Sequence, residues 1–138
     1  MNIEMLYLNK RLRKRQLDIS RIKSMIELST SSAKVIIKIP LNDDTSTVIF
    51  REIYESIRQL GDAKLWILGY EPLDHDASIE ALQDSNIKNK LLLNRLFRFK
   101  RIRHDANYRG QKVSLNQAKE ILDFWKEASE EIIGELKI

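Results

Sequence analysis

The sequence predicts an all-α fold, an up-and-down bundle of four long helices and one short one, and three observations carry that expectation. Apolar residues recur at three- and four-residue steps through most of the chain, the spacing of one helix face. Turn formers are scarce, with four Gly and two Pro in 138 residues. Leu, Ile, Lys, Glu and Arg are abundant, which favours helices over a sandwich or barrel. A chain of this length is expected to form one domain over 1–138, large enough to bury a core. It contains no internal repeat, low-complexity tract or interdomain linker.

A long first helix is expected from residue 2 to about 39. Ile19, Ile22, Ile26, Ser29, Ala33 and Ile36 or Ile37 share one stripe, and no Gly or Pro intervenes before Pro40. Upstream, two readings stand: Met5, Leu8 and Leu12 continue the stripe, making residues 1–15 a basic N-terminal extension of this helix, or the segment is a mobile basic arm. Val35–Ile39 is locally strand-like but more simply finishes the helix. Pro40–Asp44 is the first loop, with Asp43, Asp44 or Thr45 available to cap the next helix.

The second helix runs from about Thr45 to Leu68, with Ile49, Ile53, Ile57 and Leu60 inward and Tyr54 and Trp66 in the core or at its edge. Gly61 inside it costs about 1 kcal/mol relative to Ala, and a close helix crossing would explain it. Gly69-Tyr70-Glu71-Pro72 stops the helix. Asp74 or Asp76 starts a short helix through Leu82, and His75 at that junction reads as a cap or packing residue. After a break at Asp84–Asn86, a basic helix spans about Ile87 to Asn107. Ser114 and Gln117 form an S-x-x-Q capping box. The last helix carries Leu115, Ala118, Ile121 or Leu122, Trp125, Ala128 and Ile132 on one face and runs nearly to the end.

Several function classes drop out at this level. Without cysteine the chain has no disulfide, thiol nucleophile or zinc–thiolate site. No apolar run approaches the ~20 residues needed to span a bilayer. The early segment is basic and interrupted, unlike a signal peptide, so a cytoplasmic protein with no membrane association is expected. The Ile, Lys and Glu content hints at a thermophile. No metal site and no cofactor are expected.

Charge distribution says more than the net +4. Residues 10–23 carry seven basic side chains against Asp18, and residues 88–112 carry nine against Asp105. These stretches are +6 and +8, which leaves −10 for the remainder. Such segregation points to an anionic partner, nucleic acid first, with an acidic face left for protein contacts. Two solvated helix faces would give the same pattern.

The focus is Arg98–Gly110, RFKRIRHDANYRG. Leu92, Leu96, Phe99, Arg103 and Ala106 form one stripe, and Arg103 occupies an apolar place on it. A guanidinium on such a face needs a carboxylate, a phosphate or a partner chain.

The segment YESIRQLGDAKLWILGYEPLDHDASIEAL resembles the central part of HEPN domains. There a helix rich in small and apolar residues ends at Gly, and a His begins a short helix soon after. FRFKRIRHDANYRGQKVSLNQAKEILDFWKEASEEII resembles the last two helices of that family. It carries the Arg-polar pair, the Ala-polar-Tyr step and a closing helix opened by Ser. The resemblance covers about residues 45–138. It implies a four- or five-helix bundle, commonly a homodimer. It further implies metal-independent ribonuclease or toxin activity, often with a small nucleotidyltransferase antitoxin encoded alongside.

The family hallmark is Arg, four to six residues, then His, and this chain departs from it. With Arg103 in the Arg slot, His104 follows directly and Tyr108 stands where His is usual. Anchored on the Ala-polar-Tyr step instead, Asn107 takes that place. The literal match is Arg98 to His104, but these lie about 240° apart at ~100° per residue. The register with Arg103 in the slot is favoured because Arg103 lies on the apolar stripe.

RNA cleavage without metal needs one group to deprotonate the 2′-hydroxyl and another to protonate the leaving oxygen. On the resemblance, catalytic roles fall to Arg103, His104 and Tyr108, and phosphate contacts to Arg98, Arg101, Arg103, Asn107 and Arg109. The leading expectation is an RNA- or nucleotide-binding component of a HEPN/nucleotidyltransferase system with impaired catalysis. The alternatives are an active metal-independent endoribonuclease and a plain basic helical nucleic-acid-binding protein. Tyr108 is also a candidate for nucleotide attachment by the partner transferase. Plainer readings pair Arg103 with Glu55 or Asp62, end the helix at Asn107 and pack Tyr108 beneath the last helix.

Overall fold

The computed structural model describes residues 3–136. In order these form α1 (Ile3–Leu8), β1 (Leu12–Lys14), α2 (Ile19–Ile37), α3 (Ser46–Ile67), β2 (Tyr70–Pro72), α4 (His75–Ala81), α5 (Arg95–Tyr108) and α6 (Leu115–Glu135). Two 3-10 turns, Leu82–Asp84 and Lys90–Asn94, lie between α4 and α5. The fold is all-α, with one small antiparallel sheet pairing Leu12 with Pro72 and Lys14 with Tyr70.

α3 is the axis, and α2, α4, α5 and α6 all pack on it. Its apolar residues therefore surround much of its girth: Ile49, Phe50, Ile53, Tyr54, Ile57, Leu60 and Leu65 are all buried. Against α2 the approach is close because Ser29 and Ala33 are small and buried, and the Ser29 hydroxyl donates to the Ser56 carbonyl at 2.7 Å. The crossing expected at Gly61 is with α4: a Cβ there would sit 2.1 Å from the Ser78 carbonyl oxygen. Gly69, at φ 90°, ends α3 as expected.

Other local signals hold as well. Asp74 caps α4 by accepting from the Ala77 amide at 2.8 Å, and the Ser114–Gln117 capping box is present in both directions. Before α3, Thr45 is the N-cap residue without a side-chain cap bond. Asn42 organises that turn instead, accepting from the amides of Asp44 (2.9 Å) and Thr45 (3.1 Å).

The expected first helix is not continuous. Asn2, its expected start, lies outside the described residues. The chain leaves α1 after Leu8, Lys10 adopts φ 59°, and β1 pairs with β2. Arg11 fixes the break by gripping the Asp74 carboxylate with two 2.9 Å bonds and Glu80 with a third. Leu6 and Leu12 are buried with Leu65, Ala77 and Ala81, whereas Met5 and Leu8 are exposed. The described residues 3–15 are thus neither the head of a long helix nor a free basic arm. Long-range pairing has overridden helix periodicity.

The basic helix also starts later than Ile87. Glutamates of α6 hold the preceding chain, Glu135 accepting from the Asn86 amide at 3.0 Å and Glu131 from the Lys88 amide at 2.8 Å. The Lys90–Asn94 turn intervenes before α5 begins. At the other end of the chain, α6 stops at Glu135, and residues 137–138 lie outside the described residues.

Candidate phosphate-binding site

Packing of α5 explains where its charges go. Phe99 inserts between Phe50 of α3 (ring centroids 6.1 Å) and Phe124 of α6 (5.4 Å), both edge-on. Leu92, Leu96, Phe99 and Ala106 are buried as the stripe requires. Arg103, on the same stripe, is half-buried and lies over the Tyr54 ring with its guanidinium carbon 5.4 Å from the centroid.

The carboxylate partners expected for Arg103 are otherwise engaged. Arg58 bonds Glu55 and, at 2.8 Å, Asp62, which also accepts from the Ser78 hydroxyl. Burial pushes the Asp62 carboxyl upward, and Ser78 and Arg58 oppose that shift. Burial likewise raises the Tyr54 hydroxyl, opposed by the nearby Arg103 charge, so the ring beneath the guanidinium stays a neutral phenol. Among the described residues no carboxylate lies within ion-pair distance of Arg103.

A second α5 stripe, Phe97, Arg101, His104 and Tyr108, faces a cavity of about 820 Å³ that Arg103 also lines. The His104 and Tyr108 rings lie 4.7 Å apart, one helical turn from each other. Across the cavity stand Asp74, His75 and Asp76 at the start of α4. Arg11 and Lys100 line it too, but Arg11 is bound to Asp74 and Glu80, and Lys100 to Glu80 at 3.3 Å. The cations left on this wall without a carboxylate are Arg101 and Arg103, among the described residues.

Of the residues expected from sequence, Arg101, Arg103, His104 and Tyr108 come together. Arg98 points away to Glu120 of α6 at 2.5 Å, so the literal Arg98–His104 pair does not converge. Arg109 pairs locally with Asp105 at 3.8 Å, and Asn107 is exposed off the cavity. Tyr108 does not pack beneath the last helix; it is 74% exposed.

The residue missed is His75. It does not cap α4, because Asp74 does, and it is exposed in the cavity. The chain has two histidines, and both line this one space. Its signal in the sequence was the position of a His at the start of the short helix.

The N-terminal basic stretch is partly engaged by the chain's own carboxylates, while Lys10, Arg13, Lys14 and Lys23 are exposed. Besides Arg11, Arg15 bonds Glu71 at 2.5 Å, and Arg21 lies 3.7 Å from Asp18 and over the Trp66 ring. Among the described residues, no three His, Cys, Asp or Glu side chains are grouped to hold a metal ion, and no helix is long and apolar enough to cross a membrane. No family model, curated protein or solved structure matches the chain.

Proposed function

We propose that the protein is a HEPN-like RNA-binding component and that the α4–α5 cavity holds a backbone phosphate, with Arg103 as anchor and Arg101 beside it. One observation carries this reading: Arg103 is fixed over Tyr54 with its guanidinium free of carboxylates among the described residues. A guanidinium fork binds phosphate through two parallel hydrogen bonds, and a pre-positioned one loses less side-chain freedom in doing so. The test is fluorescence anisotropy with a labelled single-stranded RNA. Losing a charged hydrogen-bonding partner is worth about 1.5–3 kcal/mol, so Arg103→Ala is expected to weaken binding about tenfold or more. Arg98→Ala, whose side chain turns to Glu120, serves as the control and is expected to bind as wild type. Equal losses in the two variants would refute a specific role for Arg103.

Exposure of Tyr108 at the cavity rim favours a second reading, in which a partner nucleotidyltransferase attaches nucleotides to its hydroxyl. Incubation with a small nucleotidyltransferase, if one is encoded beside this protein, and ATP is then expected to add nucleotide mass to the wild type and none to Tyr108→Phe. The homodimer implied by the family resemblance belongs to the same proposal.

A further inference from the structure

Phe97 of α5 lines two cavities. One is the phosphate cavity of Arg101 and Arg103. The other, of about 400 Å³, is walled by residues of the Leu82–Asp84 and Lys90–Asn94 turns and by Ser85. We propose that this second cavity binds a nucleobase of the strand whose phosphate Arg103 holds. Phe97 is its stacking surface, and Gln83 and Ser85 read the edge of the base. This rests on the phosphate-binding reading and deepens it by naming what lies beside the phosphate.

Two polar groups of this cavity do no bonding in the fold. Ser85 is 2% exposed, and its hydroxyl has no hydrogen-bond partner among the described residues. The side-chain nitrogen of Gln83, two residues earlier, is likewise shielded and unpartnered. An unpaired buried donor is costly, so two of them lining one cavity mark a place where a ligand completes the bonding. An amide offers a donor and an acceptor side by side, and a hydroxyl offers both, which matches the edge of a nucleobase. Asp84 and Lys90 line the same space with opposite charges, and Leu93 supplies an apolar wall. With no net charge to attract a second phosphate, the cavity suits an uncharged planar ring.

Phe97 is the aromatic of α5 that the core does not use. It is 51% exposed, whereas Phe99 two residues on is fully buried. A base laid on the Phe97 ring stacks there, an interaction open to every base because each has a π-face. Lys100 lies over the same ring, its Nζ 5.7 Å from the centroid. Arg101 follows Phe97 by one helical turn, and side chains so related are about 5–6 Å apart. One nucleotide therefore lies along α5, with its phosphate at Arg101 and Arg103 and its base over Phe97.

The experiment uses the whole chain and fluorescence anisotropy with short RNA homopolymers of A, C or U and an abasic ribose-phosphate strand of equal length. Wild type is expected to bind the best homopolymer about tenfold tighter than the abasic strand. Phe97→Ala is expected to remove that advantage and leave binding of the abasic strand unchanged. Gln83→Met and Ser85→Ala are each expected to narrow the differences among the homopolymers. Neither should lower the urea midpoint, because each removes a polar group that lacks a partner. Arg103→Ala is expected to weaken every strand, the abasic one included. Wild type that binds abasic and base-bearing strands alike would overturn the base site alone. Wild type that binds none of them would overturn the phosphate site with it. A base advantage that survives Phe97→Ala, or a preference unchanged in both Gln83→Met and Ser85→Ala, would remove this cavity from recognition.

Discussion

At the scale of single residues, small side chains set the geometry as firmly as large ones. Gly61 lies where α3 meets the backbone of Ser78, and a methyl group there would overlap the carbonyl. Gly61→Ala is therefore expected to destabilise the fold by about 1–3 kcal/mol in urea unfolding, the usual cost of overpacking. Gly134→Ala is the contrasting case, since its Cβ would meet nothing within 4 Å. It is expected to be neutral or to stabilise α6 by up to about 1 kcal/mol. A drop of the same size in both variants would show that the α3–α4 crossing is not the cause.

Asp74 gives the corresponding electrostatic case. The Arg11 hydrogen bonds hold its carboxyl below the ordinary aspartate value, with smaller help from the Ala77 amide. A depressed folded-state value means that the contribution is present above the unfolded value of about 3.9 and is lost as pH falls through the folded one. Arg11→Gln is expected to lower stability at neutral pH by about 1–2 kcal/mol, a difference from wild type that narrows on acidification below about pH 4. A constant difference down to about pH 2 would place the loss elsewhere in the Arg11 environment. Asp62 works the other way: burial favours its neutral form, so its charge at neutral pH is a cost that acid relieves.

At the scale of elements, the sequence was readable where local chemistry decides and opaque where a distant partner does. Gly69 ends α3 and Ser114 and Gln117 start α6 through neighbours a few residues away, and the Leu96-Phe99-Ala106 spacing marks the face of α5 that is buried. The break between α1 and α2 depends on β2 and on Asp74, more than fifty residues downstream, so periodicity near Leu12 gave a helix where a strand forms. Four of the site residues could be read from α5 alone because they lie on one helix, Arg101, His104 and Tyr108 on one stripe and Arg103 on the next. His75 could not, since its value depends on where α4 lies against α5. The hold on α5 comes from other elements, through Phe50 and Phe124: Phe99→Ala is expected to cost about 3–5 kcal/mol, measured by urea unfolding. A loss below about 1 kcal/mol would mean that the aromatic stack does not anchor the helix.

At the scale of the molecule, the two basic stretches have different fates. Arg11, Arg15 and Arg21 of the first are paired with the chain's own carboxylates and Lys10, Arg13, Lys14 and Lys23 are exposed to solvent, whereas Arg101 and Arg103 of the second face an open cavity. RNA affinity is therefore expected to depend on the α5 wall, with Arg15→Ala binding RNA within about twofold of wild type. Neutralising either arginine of that wall should reduce the slope of log affinity against log salt by about 0.7 for the phosphate it no longer binds.

The most direct measurement is a structure of the protein with a short 2′-deoxy oligonucleotide bound. A phosphate within about 3 Å of the Arg103 guanidinium, the distance of a charge-assisted hydrogen bond, is the expected result. An oligonucleotide seated on the Lys10–Lys23 face, with the α4–α5 cavity holding no phosphate, would contradict it.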